Sequence, residues 1–341
     1  MSDQAETLRR LMQQRPSTST RARHHDYHVD MTPTRCAPVL TFSSGKGGVG
    51  KSCMSAHLAT MLARSGLRVM LVDGDFGLAN LDILLGVQPA ATLEQVLAGD
   101  AKLQDAIVGV EPNLWLVPAA SGIMDVRQSD FLTRQKIARL FDDCPWEMDL
   151  IIMDVGAGIQ SNVLSLHSPA FKSVIVLTPE PTSLTDAYGL IKTLSRTTSV
   201  AEFHVLVNQV TDAREAKATF QRLKDVADRF IDVRIEFLGH CERDEKITQA
   251  VMNRKILLDW NSNDAGSVRS LRSIAASVQE KFLEPQVARE GYENRESESE
   301  MAEIESGVKV SSLVGNTARF WRTLLVPDAV AQNVVMHSTR A

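Results

Sequence analysis

The chain has 341 residues, 44% of them hydrophobic, and a formal charge of -5, which is enough apolar material for a large soluble domain. Its four cysteines, Cys36, Cys53, Cys144 and Cys241, form no C-x-x-C pair, which argues against a disulfide framework or zinc site and for a reducing cytoplasm. The negative balance argues against bulk nucleic-acid binding, and neither a leader with an apolar core nor a run of eighteen or so uncharged apolar residues is expected.

Residues 1–38 open with a helical pattern carrying Leu8, Leu11 and Met12 on one side, then become polar and proline-punctuated, as a tether would. His24, His25 and His28 could bind metal, but membership of that polar run is the stronger reading. From Val39 onward, short apolar runs alternate with helix-length amphipathic segments. The runs are VLTFS (39–43), RVMLVD (68–73), NLWLVPA (113–119), DLIIMD (149–154), SVIVLTP (173–179), FHVLVN (203–208) and VRIEFLG (233–239). They are continuous rather than alternating, so both faces of each strand should be buried. The expected fold class is therefore α/β, a doubly wound, mostly parallel sheet with helices on both faces and flexible extensions at each end.

SCMSAHLATMLARSG is the first long helix, with Gly66 as its stop. The core domain should span 39–283 and close with a helix near 267–283. Residues 284–308 are glutamate-rich without apolar periodicity and read as an acidic linker. In 309–341, the positions Val310, Leu313, Val314, Thr317, Phe320, Trp321, Leu324 and Leu325 follow one helical face, with Arg319 and Arg322 outside it and Pro327 ending the run. Such a tail suits an anionic membrane surface, with docking of the stripe on the core as the alternative.

Gly45-Lys46-Gly47-Gly48-Val49-Gly50-Lys51-Ser52 satisfies G-x-x-x-x-G-K-[ST] between a predicted strand and a predicted helix. In that context the backbone amides wrap phosphates, Lys51 reaches the β and γ phosphates, and the Ser52 hydroxyl ligates Mg²⁺. Lys46 leaves the loop too early for that cradle and needs another target. Two loops facing each other in a dimer would bring it beside the partner's nucleotide; otherwise it is a solvated surface lysine. Acidic residues at strand ends, Asp73, Asp75 and Asp154, lie at the sheet's carboxyl edge, where ligands bind in such folds. Asp73 could serve only to cap the turn. The later strand ends in VNQVTD, with Gln209 and Thr211 in place of the lysine and aspartate of N-K-x-D, so adenine is favoured over guanine.

These residues carry a resemblance. KGGVGKS, DGDFGLANLD (73–82), DLIIMDVGAGI (149–159) and VLTPEPTSLTDAYGLIK (176–192) resemble the MinD/ParA family of deviant Walker-A ATPases. DQAETLRRLM (3–12) and TPEPTSLTDAYGLIK narrow it to the FlhG/FleN subfamily of flagellar-number regulators. The resemblance implies an ATP/ADP- and Mg²⁺-dependent ATPase that forms a homodimer with ATP, in which Lys46 acts across the dimer. It implies that Asp75 activates the attacking water, that Asp154 is the Walker-B carboxylate and that Asp75 and Asp154 join Ser52 near the metal. It further implies that Asn80 links the site to the dimer surface and that Asn208 contacts the base. The implied partners are an FlhF-type GTPase, in some branches a FleQ-type activator, and flagellar switch-complex proteins, with cycling between cytosol and membrane. Val155 stands where threonine is commoner, and Glu242 where proline often sits. Other readings fit these residues less well, among them a tyrosine autokinase, whose tyrosine cluster is missing from a tail with only Tyr292. A ParA-type DNA-carpet ATPase would need a clean basic patch, but Arg214, Lys217, Arg222, Lys224 and Arg229 are interrupted by acids. A cluster carrier lacks suitably placed thiolates. An ATP-binding scaffold without turnover would not need Lys46, Lys51, Ser52, Asp75 and Asp154 together.

Overall fold

A computed structural model describes residues 37–75, 80–118, 147–160, 163–164, 166–168, 171–257 and 266–283. The N-terminal helix, the acidic linker and the tail helix expected from sequence lie outside these residues. The elements run β1 (Val39–Ser44), α1 (Lys51–Arg64), β2 (Val69–Gly74), α2 (Leu81–Leu85), α3 (Leu93–Ala98), α4 (Leu103–Ala106), β3 (Val108–Glu111) and β4 (Leu114–Val117). They continue with β5 (Leu150–Ala157), β6 (Lys172–Leu177), α5 (Pro181–Thr197), β7 (Glu202–Val210), α6 (Ala213–Phe230), β8 (Arg234–Glu242), α7 (Glu245–Met252) and α8 (Gly266–Val278). A π-helical turn, Gln279–Leu283, follows α8.

The strand order is β3-β4-β2-β5-β1-β6-β7-β8, parallel at every pairing except β3 with β4. Side chains alternate between two apolar layers. Leu40, Phe42, Leu150 and Ile152 pack with α1 and α8, while Val39, Ile151, Met153 and Val155 fill the other face. This is why the central strands read as unbroken apolar runs. All seven expected strands are present, and Gly66, at φ +99, follows the end of α1 as expected.

Two strands depart from expectation. β3 was not anticipated: it is four residues long, half exposed, and joined to β4 as an antiparallel hairpin, so it carries no buried run. β8 is an edge strand and only part of it is buried, because one side has no neighbour to cover it.

Gly239 of β8 sets how closely α8 approaches the sheet, since a Cβ there would lie 2.7 Å from Cγ1 of Ile274. Gly239→Ala should therefore destabilise the protein by roughly 1–3 kcal/mol in urea unfolding. Combined with Ile274→Ala it should cost less than the sum of the two single changes; strict additivity would show that α8 is not held at that distance.

Candidate functional site

The chain leaves the carboxyl ends of β1, β2, β5 and β6 into one crevice, where the strand order reverses about β1. From β1 comes the glycine-rich loop, and its glycines serve two purposes. Gly45 and Gly50 are dictated by close approach: a Cβ on Gly45 would lie 2.2 Å from the backbone of Asp186 on α5, and one on Gly50 would lie 2.4 Å from Asn208 Nδ2. Gly47 and Gly48 face open space and leave their backbone uncovered. Gly50, at φ +84, is the N-cap of α1 and brings no side-chain acceptor to the first-turn amides, which suits an anion there.

Val49 is buried, and its carbonyl accepts from Asn208 Nδ2 at 2.8 Å. The Asn208 Oδ1 accepts the Gln209 N–H at 2.9 Å. Asn208 thus braces the loop from below, with one amide hydrogen left over.

Lys51 turns inward. Its Nζ donates to Asp154 Oδ1 at 2.8 Å and to Ser52 Oγ at 3.2 Å, with side-chain exposures of only 6% for Lys51 and 1% for Asp154. An ammonium bridging a carboxylate and a hydroxyl is a stand-in for a divalent cation. The oxygen donors Ser52, Asp154 and the nearby Asp75 therefore fit Mg²⁺, which takes few protein ligands and keeps waters and phosphates for the rest. Among the described residues no group of three or more His, Cys, Asp or Glu is gathered to hold a metal by itself.

Asp75 sits over β5, where a Cβ on Gly156 would be 3.4 Å from its Oδ1. Asp73 is 1% exposed and does cap the turn. It accepts from the backbone N–H groups of Asp75 (3.0 Å), Asn80 (3.2 Å) and Leu81 (3.3 Å), and so aims both Asp75 and the start of α2. Burial, together with its register partner Asp154, pushes the Asp73 carboxyl up to about 6 against the pull of those amides.

Lys46 points the other way. Its Nζ donates to Glu180 Oε2 at 2.6 Å and to Thr182 Oγ1 at 3.2 Å, at the surface. Glu180 is the N-cap of α5 but makes no side-chain cap, which leaves its carboxylate to the lysine; the lysine holds that carboxyl below its ordinary range. The two lysines diverge from one loop, as their spacing suggests.

Beneath the loop, Ser43 Oγ lies 2.6 Å from His167 Nε2, and Ser173 Oγ lies 3.1 Å from its Nδ1. Burial pushes His167 down to about 4. The thiols of Cys53 and Cys241 are pushed up to about 12 by burial, which makes them inert. Glu180, Thr182 and His167 have no function assigned from sequence, whereas Asp73 is expected there as a turn cap. Only the adjacency of β6 to β1 brings the first three to the loop.

Residues 40–258 match the CobQ/CobB/MinD/ParA nucleotide binding domain. The antiactivator FleN of Pseudomonas aeruginosa is 38% identical over 240 residues, 70% of this chain and 85% of that protein. The flagellum site-determining protein YlxH of Helicobacter pylori is 36% identical over 250 residues, 71% of this chain and 82% of that protein. Among solved structures, the septum site-determining protein MinD of Pyrococcus horikoshii complexed with Mg-ADP superposes with a TM-score of 0.54 at 26% identity. The match covers 71% of this chain and 96% of that one.

Two consequences are measurable. Lys51→Met leaves Asp154 buried without a partner and should cost roughly 3–5 kcal/mol in urea unfolding, and adding Asp154→Asn should restore much of it. Failure of the second change to restore stability would show that the pair is not the source. The second concerns pH. An unfolded histidine titrates near 6.5 and His167 near 4, so the unfolded chain takes up the proton first, and stability falls as pH drops through that window. The loss is about 2 kcal/mol between pH 7 and pH 5. Asp73 acts oppositely, because its folded value near 6 lies above 3.8, and it returns about 1 kcal/mol over the same interval. His167→Asn should therefore lessen the acid-side loss by about 2 kcal/mol relative to the unsubstituted protein. Equal slopes in the two proteins would exclude the histidine as the cause.

Proposed function

The chain belongs to the CobQ/CobB/MinD/ParA nucleotide-binding family, as a FlhG/FleN-like ATPase, and on that premise we propose that it is a dimerising switch that sets flagellar number or placement. The observation that carries the proposal is the divergence of the two lysines, Lys51 inward to Asp154 and Ser52, Lys46 outward to Glu180. Lys51 exchanges Asp154 for phosphate oxygens when nucleotide binds. Mg²⁺, when bound, neutralises phosphate charge next to Ser52 and Asp154. Asp75, held by Asp73, orients the attacking water and accepts its proton. Lys46 leaves Glu180 and reaches the partner's nucleotide, which makes hydrolysis depend on dimerisation. Asn208 offers its remaining amide hydrogen to adenine, and Asn80 carries the state of the site to the dimer surface.

Residues 3–12 engage an FlhF-type GTPase, a FleQ-type activator and switch-complex proteins are further partners, and residues 309–341 meet the cytoplasmic face of the membrane. No helix among the described residues is long and apolar enough to cross a membrane. The ParA-type alternative is disfavoured at α6. There Lys224 pairs with Asp228 at 3.0 Å, and Arg222 turns back to Ala218 and Thr219 of its own helix, so these two side chains are engaged on the helix itself.

Light scattering and phosphate release test the proposal together. Lys46→Ala should bind ATP nearly as well as the unsubstituted protein, yet stay monomeric and lose about 100-fold or more in turnover. Asp75→Ala should trap the ATP dimer, and Glu180→Gln, which weakens the hold on Lys46, should dimerise at lower ATP. An ATP-dependent dimer that survives Lys46→Ala with its turnover intact would refute the role in trans.

A further inference from the structure

Beneath the phosphate loop, β1 carries a polar stripe in an apolar layer. Thr41 and Ser43 continue the face that begins with Val39, on the side of the sheet filled by Met153, Val155, Val163 and Leu166. Ser173 of β6 stands beside Thr41 in register, and all three hydroxyl residues are fully buried.

His167 closes this stripe. Its ring is 6% exposed, with Nε2 2.6 Å from Ser43 Oγ and Nδ1 3.1 Å from Ser173 Oγ and 3.4 Å from Thr41 Oγ1. Burial keeps the ring neutral, and a neutral ring donates from one nitrogen and accepts at the other, so both sides are satisfied without a charge. Apolar side chains would fill the layer without the cost of drying four polar groups. What the hydrogen-bonded ring adds is a fixed position.

The ring stands on a short helical turn. Leu164 N–H donates to the Gln160 carbonyl at 3.0 Å, Leu166 N–H to Val163 at 3.2 Å and His167 N–H to Leu164 at 3.1 Å. A spacing of three and four residues puts Val163, Leu166 and His167 on one side of that turn. The two apolar side chains meet the backbone around Asp75. A Cβ on Gly74, immediately before Asp75, would lie 3.1 Å from Leu166 Cδ1. One on Gly156 would lie 3.5 Å from Val163 Cγ2 and 3.4 Å from Asp75 Oδ1, so Val163 and the carboxylate border the same space above β5. A second pin lies at the foot of the phosphate loop, where Gly158 N–H donates to the Ser44 carbonyl at 2.9 Å and Ser44 Oγ donates to the Lys46 carbonyl at 2.9 Å.

We propose, resting on the assignment of Asp75 as the group that orients the attacking water, that His167 is the residue that positions that carboxylate. Its ring seats the turn in the hydroxyl stripe, and the turn holds Leu166 and Val163 against the two glycines beside Asp75. Loss of the ring frees the turn and lets the carboxylate shift. A shift of about 1 Å is enough to cost about 100-fold in a step that depends on orientation. The Lys51 side chain and the loop amides are untouched, so the loss falls on rate and not on nucleotide affinity.

The test uses the full chain and compares single-turnover hydrolysis with binding of a non-hydrolysable ATP analogue. His167→Leu should slow hydrolysis about 10- to 100-fold while analogue affinity stays within about twofold. His167→Gln, whose amide can reach Ser43, should recover most of the rate. Ser43→Ala removes the 2.6 Å contact with a smaller change to the core and should lower the rate in the same direction, so the outcome does not hang on how well His167→Leu folds. In the Asp75→Ala protein, adding His167→Leu should change the residual rate by less than about twofold, because the histidine acts through that carboxylate. Losses that simply add in the double variant, or a fall in analogue affinity as large as the fall in rate, would overturn the proposal alone. Full hydrolysis by Asp75→Ala would remove the assignment beneath it and the proposal together.

Discussion

A lysine and an aspartate, both almost fully withdrawn from water, meet at 2.8 Å at the carboxyl edge of the sheet. Neither charge can stay there alone, because an uncompensated buried ion costs several kcal/mol. Lys51 must always have an anion and Asp154 a cation. On the proposed function this constraint couples two exchanges: a phosphate would relieve the lysine only as a metal or another cation relieves the aspartate. Parallel pairing of β1 with β5, and of β5 with β2, is what brings the two together and places Asp73 and Asp75 beside them.

The second lysine obeys different physics. Lys46 and Glu180 meet at 2.6 Å, but both are exposed to solvent. Exposed pairs contribute little and are screened by salt, so the contact is easily exchanged for another. On the proposed roles, a group that acts on a neighbouring molecule has to be releasable, and one that holds a phosphate has to be fixed. The same eight-residue loop provides both by sending one lysine to each side of the surface.

Asp73 links the two ends of the response. Its three amide contacts hold the backbone of Asp75, Asn80 and Leu81, so one carboxylate beside Asp154 ties the end of β2 to the start of α2. Three neighbouring acids here have separate environments: one buried against a lysine, one buried against amides and raised to about 6, and one near the edge above Gly156. Packing rather than residue type sets these differences.

Much of the fold was legible because apolar runs report burial directly. Seven strands, the first long helix and α8 follow from run length and from Gly66, and the phosphate loop follows from its own spacing. β3 escaped because four half-buried residues carry no periodic signal, and β8 was expected to be as buried as its neighbours because an edge position is not written in a strand's own residues.

By itself, the sequence determined which elements form and which eight residues make the loop, since periodicity and glycine spacing are local properties of the chain. Only the tertiary structure decided the partners. Asp154 is 103 residues from Lys51, Glu180 is 134 from Lys46, and Asn208 is 159 from Val49. These distances close through strand order, which depends on how separate faces pack together rather than on any one segment. The raised carboxyl of Asp73 and the unpaired hydroxyl of Thr60 are of the same kind, because burial and the lack of a partner exist only once the rest of the chain has folded around them.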